Sequence, residues 1–588
     1  MKENKYGQPL AALAFLGLLA LPASAQPGAN SNIDVSLGAL SSLSLQGHTG
    51  AFPNGVMGVA MQTTSCNLMA APNGLNTPWL ISSGSANASC LTPMERRHPV
   101  IAFLAARLSG DRLVQISDRS YLKHGFFALS QTICGPCPAG SPGTYLALQC
   151  ADTYGVGNNN DNFYLAPPDE VNPWTGVWSP CGSQFDRGEP PVALAQQTDG
   201  ARSLSSAQAG ALNAVWAHVV RVRDADLNVP GSLFYYQAQY VIPSWTQIST
   251  TSPIPNPASV VGMLLNEPDA NRTNNVGSRP FTAVWTGATW SITNPASAIL
   301  YGSILQRWTG ATVTSNTNGV DDGRLYVAVK VTGPSATTGL YHYEYGVHNR
   351  DNFRGVNAFR LPVCPGAQVL NAAFHDIDTN AGNDWTISVG ATEIAFTAPA
   401  TNPLNWNSLF NFWFDSDAAP VAGSILLDQA AAGPGAAQVS VSSTIPAGLY
   451  NQNLGPGCGI PSAPSLFAGG SPPRATLGNG TFSLKTAGNA PSALVALFIS
   501  GAPGSVDLGG GCTLYSSSLL SVFTLASGVC DATGLFTWPI PVPSDPALEG
   551  ISPDLQVAAF ASPGAYLGTL NLTNGLRVRV GSATTNCP

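Results

Sequence analysis

Apolar residues in this chain recur in short runs with the patterning of strands. Runs such as 98–108 (HPVIAFLAARL), 232–242 (SLFYYQAQYVI) and 324–333 (RLYVAVKVTG) are rich in β-branched and aromatic residues, and Gly, Pro, Asn and Asp clusters separate them. Only residues 203–222 (SLSSAQAGALNAVWAHVVRV) have a helical pattern. The pattern predicts an all-β fold, with several β-sandwich-like modules in tandem and one helix near 203–222.

Shifts in composition suggest where the modules begin and end. The stretches 186–200 (DRGEPPVALAQQTDG) and 447–475 have the composition of linkers. The predicted division is a signal peptide at 1–25, a Cys/His-bearing N-terminal β-rich module at 26–190, a central β-rich module at 191–335, a β-sandwich module at 336–447, and a linker with a C-terminal β-sandwich accessory domain at 448–588.

The first residues have the features of a secretory signal peptide. Lys2 and Lys5 precede an apolar run at 9–21, and small residues follow at 23–25, so we expect the mature chain to start at Gln26. No later apolar stretch is long enough to predict a membrane span. The sequence therefore predicts a secreted or cell-surface protein.

The charge balance argues against some partners. Only 10% of residues are charged, and 24 basic against 32 acidic residues give a net charge of −8, without a Lys/Arg run. Nucleic acid and anionic membrane surfaces are therefore not expected partners.

Eleven cysteines in an exported chain are interpreted first as disulfides, and their odd number leaves at least one unpaired. Proximity in sequence favours Cys66 with Cys90 and Cys512 with Cys530. A local group has no deducible connectivity and consists of Cys134, Cys137, Cys150 and Cys181.

The tetrapeptide CGPC at 134–137 has two other interpretations. A thioredoxin-like dithiol needs a helix after the first thiol, but the following Pro-Ala-Gly-Ser-Pro-Gly does not support one. A zinc site would use the thiolates of Cys134, Cys137 and Cys150. Its fourth ligand would be His124 or Cys181. A loop held by disulfides is favoured over both.

Several blocks resemble known sequences. The C-terminal segment GPGCGIPSAPSLFAGG…GCTLYSS…FTWPIPVPSDPALEG…NGLRVRVG resembles a recurrent C-terminal β-domain of uncharacterised secreted proteins from planctomycete-type bacteria. Upstream, RLVQISDRSYLKHGFFALSQTICGPC, YHYEYGVHNRDNFR and NPLNWNSLFNFWFDSD resemble blocks of one such family. The resemblance covers most of residues 95–582 and implies an exported protein, but no activity.

Two histidines are weak catalytic candidates. His98 and His124 lie beside strand-like segments and could meet Asp152 or Asp161 in a polar cluster. A packed histidine bonded to a carbonyl is the favoured alternative. No G-x-S-x-G, H-E-x-x-H or paired-carboxylate motif supports catalysis.

Two acidic runs could bind calcium through alternating oxygen ligands. The stronger candidate is DIDTNAGND, with ligands Asp376, Asp378, Asn380 and Asp384; the weaker is DADLN, with Asp224, Asp226 and Asn228. Both lack the Gly and final Glu of an EF-hand loop. The alternative for each is an Asx turn between strands.

Two aromatic-rich motifs also raise functional alternatives. In 340–349 (LYHYEYGVHN), strand alternation places Tyr341, Tyr343 and Tyr345 on one face and a polar row on the other, namely His342, Glu344 and His348. A metal site on the polar row is disfavoured, and a tyrosine face towards the core with the polar row towards water is preferred. Trp174 and Trp178 could stack on a sugar or close a core edge.

The sequence predicts an extracellular or cell-surface protein with a binding or structural, adhesion-type role. Carbohydrate or cell-surface components are the candidate partners, and structural calcium is the candidate cofactor. The alternatives are an extracellular hydrolase acting on polymer, with its site in residues 95–190, and a secreted protein that binds calcium or zinc.

Overall fold

A computed structural model describes most of the chain. The described residues are 28–29, 32–71, 74–79, 98–119, 121–137, 143, 145–160, 165–178, 220–243, 265–319, 323–335, 338–364, 367–433, 435–446, 451–471 and 473–581.

The first part of the chain, to residue 301, contributes sixteen described strands. These are β1 (Gly28–Ala29), β2 (Val35–Thr49), β3 (Val56–Asn67), β4 (Thr77–Pro78), β5 (Val100–Ser109), β6 (Arg112–Gln115), β7 (Leu122–His124), β8 (Tyr145–Leu146), β9 (Ala151–Tyr154), β10 (Leu165–Ala166), β11 (Val220–Arg223), β12 (Leu233–Val241), β13 (Leu265–Asn266), β14 (Val276–Trp285), β15 (Trp290–Thr293) and β16 (Leu300–Tyr301). Two one-turn helices are α1 (Val156–Asn159) and α2 (Asp224–Leu227).

The remainder forms two further groups of strands. The middle group is β17 (Thr312–Thr317), β18 (Arg324–Thr332), β19 (Tyr341–Asn349), β20 (Val356–Pro362), β21 (Val369–His375), β22 (Thr386–Val389), β23 (Glu393–Thr397), β24 (Ser408–Ser416), β25 (Val421–Gln429) and β26 (Gln438–Ile445). The C-terminal group is β27 (Asn451–Gly455), β28 (Ser465–Gly469), β29 (Ser483–Ala487), β30 (Leu494–Ser500), β31 (Val506–Gly509), β32 (Cys512–Leu514), β33 (Val522–Val529), β34 (Phe536–Pro539), β35 (Asp554–Gly564), β36 (Gly568–Leu572) and β37 (Gly575–Val578).

The described residues of 35–445 form four sheets of four or more strands, which we call layers 1 to 4, and a two-stranded sheet of β4 and β8. Layer 1 has the order β11-β3-β2, with β9 also on β3, and layer 2 has the order β10-β7-β5-β12-β14-β15, with β6 and β16 attached. Layer 3 has the order β17-β18-β19-β24-β21, and layer 4 the order β22-β23-β20-β25-β26. The protein is therefore all-β, as its sequence predicts.

Layer 2 is buried on both faces. Along β5, Ile101, Phe103 and Ala105 belong to the core shared with layer 1, whereas Leu104 and Ala106 belong to a second core shared with layer 3. Successive side chains of a strand point to opposite faces, so a strand covered on both sides must be apolar throughout. This is why residues 99–106 form a continuous apolar run.

Layers 1 to 4 pack through consecutive cores, and we call them together the four-layer body. The second core joins Leu104 of β5 to Ile304, Trp308 and Leu409, and a third core between layers 3 and 4 includes Tyr343 and Phe359. Sheets that pack face to face share interdigitated side chains of this kind. The N-terminal and middle groups of strands are thus continuous through buried apolar side chains.

The C-terminal module, residues 451–581, has its own core. It contains a six-stranded sheet, β27-β37-β35-β30-β33 with β36 on β35, and a three-stranded sheet, β28-β29-β34. Val495, Leu497, Trp538 and Val557 lie in the core of this module, and every buried member of that core belongs to it.

The sheets cross two of the predicted module boundaries. Layer 2 pairs β5 with β12, on opposite sides of the boundary predicted at 190/191, and layer 3 pairs β18 with β19 across 335/336. Those two boundaries are therefore wrong, because strands distant in sequence share one sheet. Most of the predicted helix at 203–222 lies outside the described residues, and its last residues form strand β11.

The predicted disulfide pairs are also wrong where they can be compared. Cys66 pairs with Cys134, and Cys512 pairs with Cys458, while Cys530 is a buried free thiol. The local group is split, since its described internal pair is Cys137–Cys150. Strand pairing explains the first bond: Cys66 lies opposite Ala151, which also bridges Gln131, and this brings the 134 loop to β3.

The other cysteine expectations fare differently. The odd cysteine count predicted an unpaired thiol, which Cys530 confirms. Cys364 is also disulfide-bonded.

In the described ranges, no helix has the length and apolar character needed to span a bilayer.

Candidate functional site: a mixed-charge cleft between layers 2 and 3

The structure brings the two candidate catalytic histidines together. Nε2 of His98 lies 2.7 Å from Nδ1 of His124, and both side chains are buried. The buried Trp178 ring packs against both imidazoles, with centroids 5.6 Å and 4.7 Å away. Asp152 contacts a different group, since its Oδ1 accepts the Leu129 N–H at 2.7 Å. Asp161 lies outside the described residues.

The zinc interpretation of the CGPC stretch is wrong. Cys134, Cys137 and Cys150 are all oxidised in disulfides, so they offer no thiolate to a metal. Cys181 lies outside the described residues. The stretch is a loop held by two disulfides, the alternative that the sequence favoured.

The two tryptophans close the edges of cores. Trp178 is buried against the histidine pair, and Trp174 is covered by the Arg272 guanidinium, 3.9 Å from the ring centroid. Cation–π contacts of this kind hold a ring against the protein. Of the two interpretations, the structure favours the closing of a core edge over a sugar platform.

The weaker acidic run folds as α2 and its carboxylates are used separately. The fully buried Asp224 accepts hydrogen bonds from Gly55 N–H at 3.0 Å and Trp290 Nε1 at 2.7 Å, and it pairs with His48 at 2.9 Å. Asp226 instead binds Arg107 and Arg223. The two side chains therefore do not face one common ligand.

The stronger acidic run forms successive Asx turns. Asp376 accepts the N–H of Asp378, Asp378 accepts that of Asn380, and Asn380 accepts that of Gly382. Asp384 ends the run two residues later. Within the described part of the chain, no group of three or more His, Cys, Asp or Glu side chains could hold a metal ion. Calcium binding by this loop stays a prediction.

Strand β19 confirms half of the predicted alternation. Tyr343 and Tyr345 are fully buried in the core between layers 3 and 4. The opposite face is only partly solvent-facing, because Glu344 is 2% and His348 0% exposed beneath layer 2 while the His342 side chain is 37% exposed. His348 Nδ1 lies 2.8 Å from the Ser303 hydroxyl, so it does not meet His342 at a metal.

The polar face of β19 forms an ion-pair chain with the β5–β6 hairpin. Arg112, next to the turn of that hairpin, binds Glu344 through two contacts of 2.6 Å, Nε to Oε1 and Nη2 to Oε2. The guanidinium carbon of Arg112 also lies 3.4 Å from the Trp413 ring centroid. A bidentate pair that also stacks on an indole has a fixed geometry.

His342 joins two carboxylates in this chain. Its Nδ1 lies 2.7 Å from Asp415 and its Nε2 3.3 Å from Glu344. Hydrogen bonding with Glu344 raises the pKa of His342, burial opposes this, and Asp415 adds to it. Carboxylates at both ring nitrogens favour the protonated imidazole, and they leave neither nitrogen open to act as a general base.

A cleft of about 470 Å³ at the edge between layers 2 and 3 is lined by Arg112, His342, Glu344 and Trp413. His375 of β21 lies on a further wall, and burial lowers its pKa, with Asp226 opposing this effect and Arg112 adding to it. Lys330 and Asp111 make an ion pair at 2.6 Å near the rim. The cleft therefore holds charges of both signs that pair with each other.

A second, deeper network joins the same layers. Arg350, 1% exposed, contacts Asp351 at 2.9 Å and Asp269 at 2.8 Å, and Arg324 also binds Asp269. Burial opposes the ionised form, but hydrogen bonds from Arg324 and charge from Arg350 lower the pKa of Asp269 to about 2. Buried charges are tolerated when they are paired and hydrogen-bonded in this way.

Sequence reasoning missed both networks. Arg112, Trp413, Arg350 and Asp269 carry no motif, and each lies in a different sequence segment. One signal in the sequence could have indicated a buried polar network. Polar residues are concentrated on one face of β19 and continue into Arg350 and Asp351, although only 10% of the chain is charged.

Comparisons with known proteins give only distant similarities. No protein-family model matches the chain, and no curated protein matches it. Among solved structures, the major pilin subunit BcpA of Bacillus cereus has a TM-score of 0.17 and 9% identity, covering 63% of this chain and 88% of its own. The T6 backbone pilin of Streptococcus pyogenes has a TM-score of 0.17 and 9% identity, covering 83% and 79%. Escherichia coli alpha-2-macroglobulin has a TM-score of 0.13 and 10% identity, covering 92% and 35%.

Proposed function

We propose that this chain is an exported structural protein of the cell surface or extracellular space, with an adhesion-type role. In this proposal the four-layer body is a rigid element and the C-terminal module is an accessory domain that retains it at the surface. The observation that supports it is the second core between layers 2 and 3, which fuses two sandwiches into one mechanical unit.

The polar groups around that core support the same proposal. Asn407 Nδ2 donates to the Phe103 carbonyl at 2.9 Å and Asn411 Nδ2 to the Leu113 carbonyl at 3.0 Å, both across the interface. Buried amides that bind the backbone of the opposite layer fix its register. These polar groups thus hold the two layers together, as expected for a structural element.

Fractionation of the native host tests the retention role. A tagged full-length chain should remain with intact cells and be accessible to antibody, whereas a chain ending at residue 446 should appear in the medium. A control chain with Leu520→Ser, which changes a side chain that is 92% exposed, should behave as the full chain does. Finding both the full and the shortened chain free in the medium, or both in the cytoplasm, would contradict the proposal.

A further inference from the structure

A cavity of about 260 Å³ lies where the four-layer body meets the C-terminal module, and we call it the junction pocket. Tyr341, Leu370 and Asp417 line it from the body, and Leu466 and Phe467 line it from the C-terminal module. The two walls are joined closely at Gly339, whose φ is +72° and where an added Cβ would lie 2.6 Å from the Phe467 Cβ.

Among the described residues that line this pocket, Asp417 is the one with a formal charge. Its Oδ1 accepts the Gln368 N–H at 2.7 Å, whereas its Oδ2 is buried and has no hydrogen-bond partner among the residues that the structure describes. Burial raises the pKa of Asp417 to about 7. A buried carboxylate oxygen without a partner is rare in a folded protein and points to a group that binds there.

The rest of the lining defines the kind of group. The body contributes Leu340 and Leu370, and the C-terminal module contributes Leu466, Ala468 and Leu576. Neutral polar side chains also line the pocket, namely Thr338, Gln368, Asn451, Asn453, Ser465 and Asn574, and the described lining contains no Lys, Arg or His. A mostly apolar pocket with one convergent charged group is the usual form of a small-molecule site. Asp417 would repel an anion and attract a cation. The volume corresponds to roughly nine water molecules at about 30 Å³ each.

We propose that the junction pocket binds a small primary amine with a short apolar body, whose ammonium group donates to Asp417. This inference goes beyond the proposed structural role, because it adds a ligand that would bind where the four-layer body meets the C-terminal module.

Titration calorimetry on the full-length protein at pH 8 tests this with three matched probes, n-butylamine, n-butanol and butyrate. The amine should bind at least tenfold more tightly than the alcohol, and butyrate should not bind. At pH 6 the affinity for the amine should fall about tenfold, because a carboxyl group with a pKa near 7 is then mostly protonated. Tyr341 also lines the pocket beside the charged Arg474, and burial raises the pKa of Tyr341 to about 12, well above this range.

Three variants make the result decisive. Asp417→Asn should lose the preference for the amine and its pH dependence while retaining n-butanol, and Leu370→Trp, at a position 40% exposed, should fill the pocket and lose both probes. Asp507→Asn, an exposed carboxylate of β31, should bind as the unmodified protein does. No binding of n-butylamine at millimolar concentration to folded protein, or amine binding that survives Asp417→Asn, would overturn the proposal.

Discussion

The two interfaces between modules of this protein are built by different means. Layers 2 and 3 meet through a continuous apolar core, with side-chain amides on the opposing backbone and paired charges buried around it. At the junction pocket the four-layer body and the C-terminal module meet around a cavity that contains an unpaired carboxylate oxygen. Both interfaces contain a cavity and buried polar atoms without a partner among the described residues, such as Asn407 Oδ1 and Asn411 Oδ1 between layers 2 and 3. The difference lies in the continuous apolar core and the ion pairs of the first interface, because burial of apolar side chains stabilises a contact.

This difference indicates a rigid body with a more weakly held domain. In the first interface the buried Glu344 of layer 3 binds Arg112 of layer 2, so separation of the layers would leave this carboxylate without its partner. In the second, Asp417 gains no partner from the contact. We therefore expect layers 1 to 4 to unfold as one unit and the C-terminal module to unfold separately.

Removal of Arg350 should cause the largest loss of stability, and the loss should be confined to the four-layer body. Arg350→Leu leaves Asp351 buried without its closest opposite charge, and we expect the body to lose about 3–5 kcal/mol. The C-terminal transition in urea should not move. Arg360→Leu is the matched control, because Arg360 pairs at a half-buried site with Glu393 and Asp428 and should cost about 1 kcal/mol or less. Equal losses of stability in the two variants would contradict the claim that the buried Arg350 network stabilises the body more than the half-buried Arg360 pairs do.

A smaller loss of stability is expected when the ion pair in the cleft between layers 2 and 3 is removed. Arg112→Gln removes the bidentate partner of the buried Glu344 and the contact with Trp413, and we expect a loss of about 2–3 kcal/mol from the body. Denaturant unfolding monitored by tryptophan fluorescence measures it. A double-mutant cycle with Glu344→Gln should give a coupling energy well above zero, and additive effects would contradict the pairing.

Acid should weaken the body through Asp269. Its pKa is lowered from 3.8 to about 2 in the folded state, so its contribution is present above pH 3.8 and is lost as the pH falls through 2. The contribution amounts to about 2 kcal/mol. Asp269→Asn should flatten the stability of the body between pH 4 and pH 2, measured by thermal unfolding. An unchanged acid slope in this variant would rule out Asp269 as its source.

Strand content and local alternation could be predicted from the sequence, because they depend on neighbouring residues. The tyrosine face of β19 is an example, since period-two spacing alone placed Tyr343 in a core. The division into modules failed because sheet pairing is not local: β5 and β12 are neighbours in layer 2 although more than one hundred residues lie between them. Proximity in sequence failed for Cys66 for the same reason.

The candidate site could not be predicted because a polar strand face looks the same whether it faces water or a charged partner. His342 and Glu344 were interpreted as solvent-facing, and only the position of Arg112 on another layer shows otherwise. The histidine pair was a partial success, since His98 and His124 do meet, although the described contact is with each other and Trp178 rather than with Asp152.

The smallest expected effect lies at the junction and has the opposite sign. The pKa of Asp417 is raised from 3.8 to about 7, so the folded state holds its proton more firmly than the unfolded chain does. The stability that this provides is fully present below pH 3.8 and is lost as the pH rises through 7. A shift of this size corresponds to about 4 kcal/mol, but the weakly held junction can open and hydrate the carboxylate, so Asp417→Asn should be about 1–2 kcal/mol more stable than the unmodified protein at pH 8. Calorimetric melting at pH 4 and pH 8 measures this difference, which should shrink towards zero at pH 4. A variant less stable at pH 8 would mean that the Asp417 carboxylate is paired in solution, and that the junction is held as firmly as the interface between layers 2 and 3.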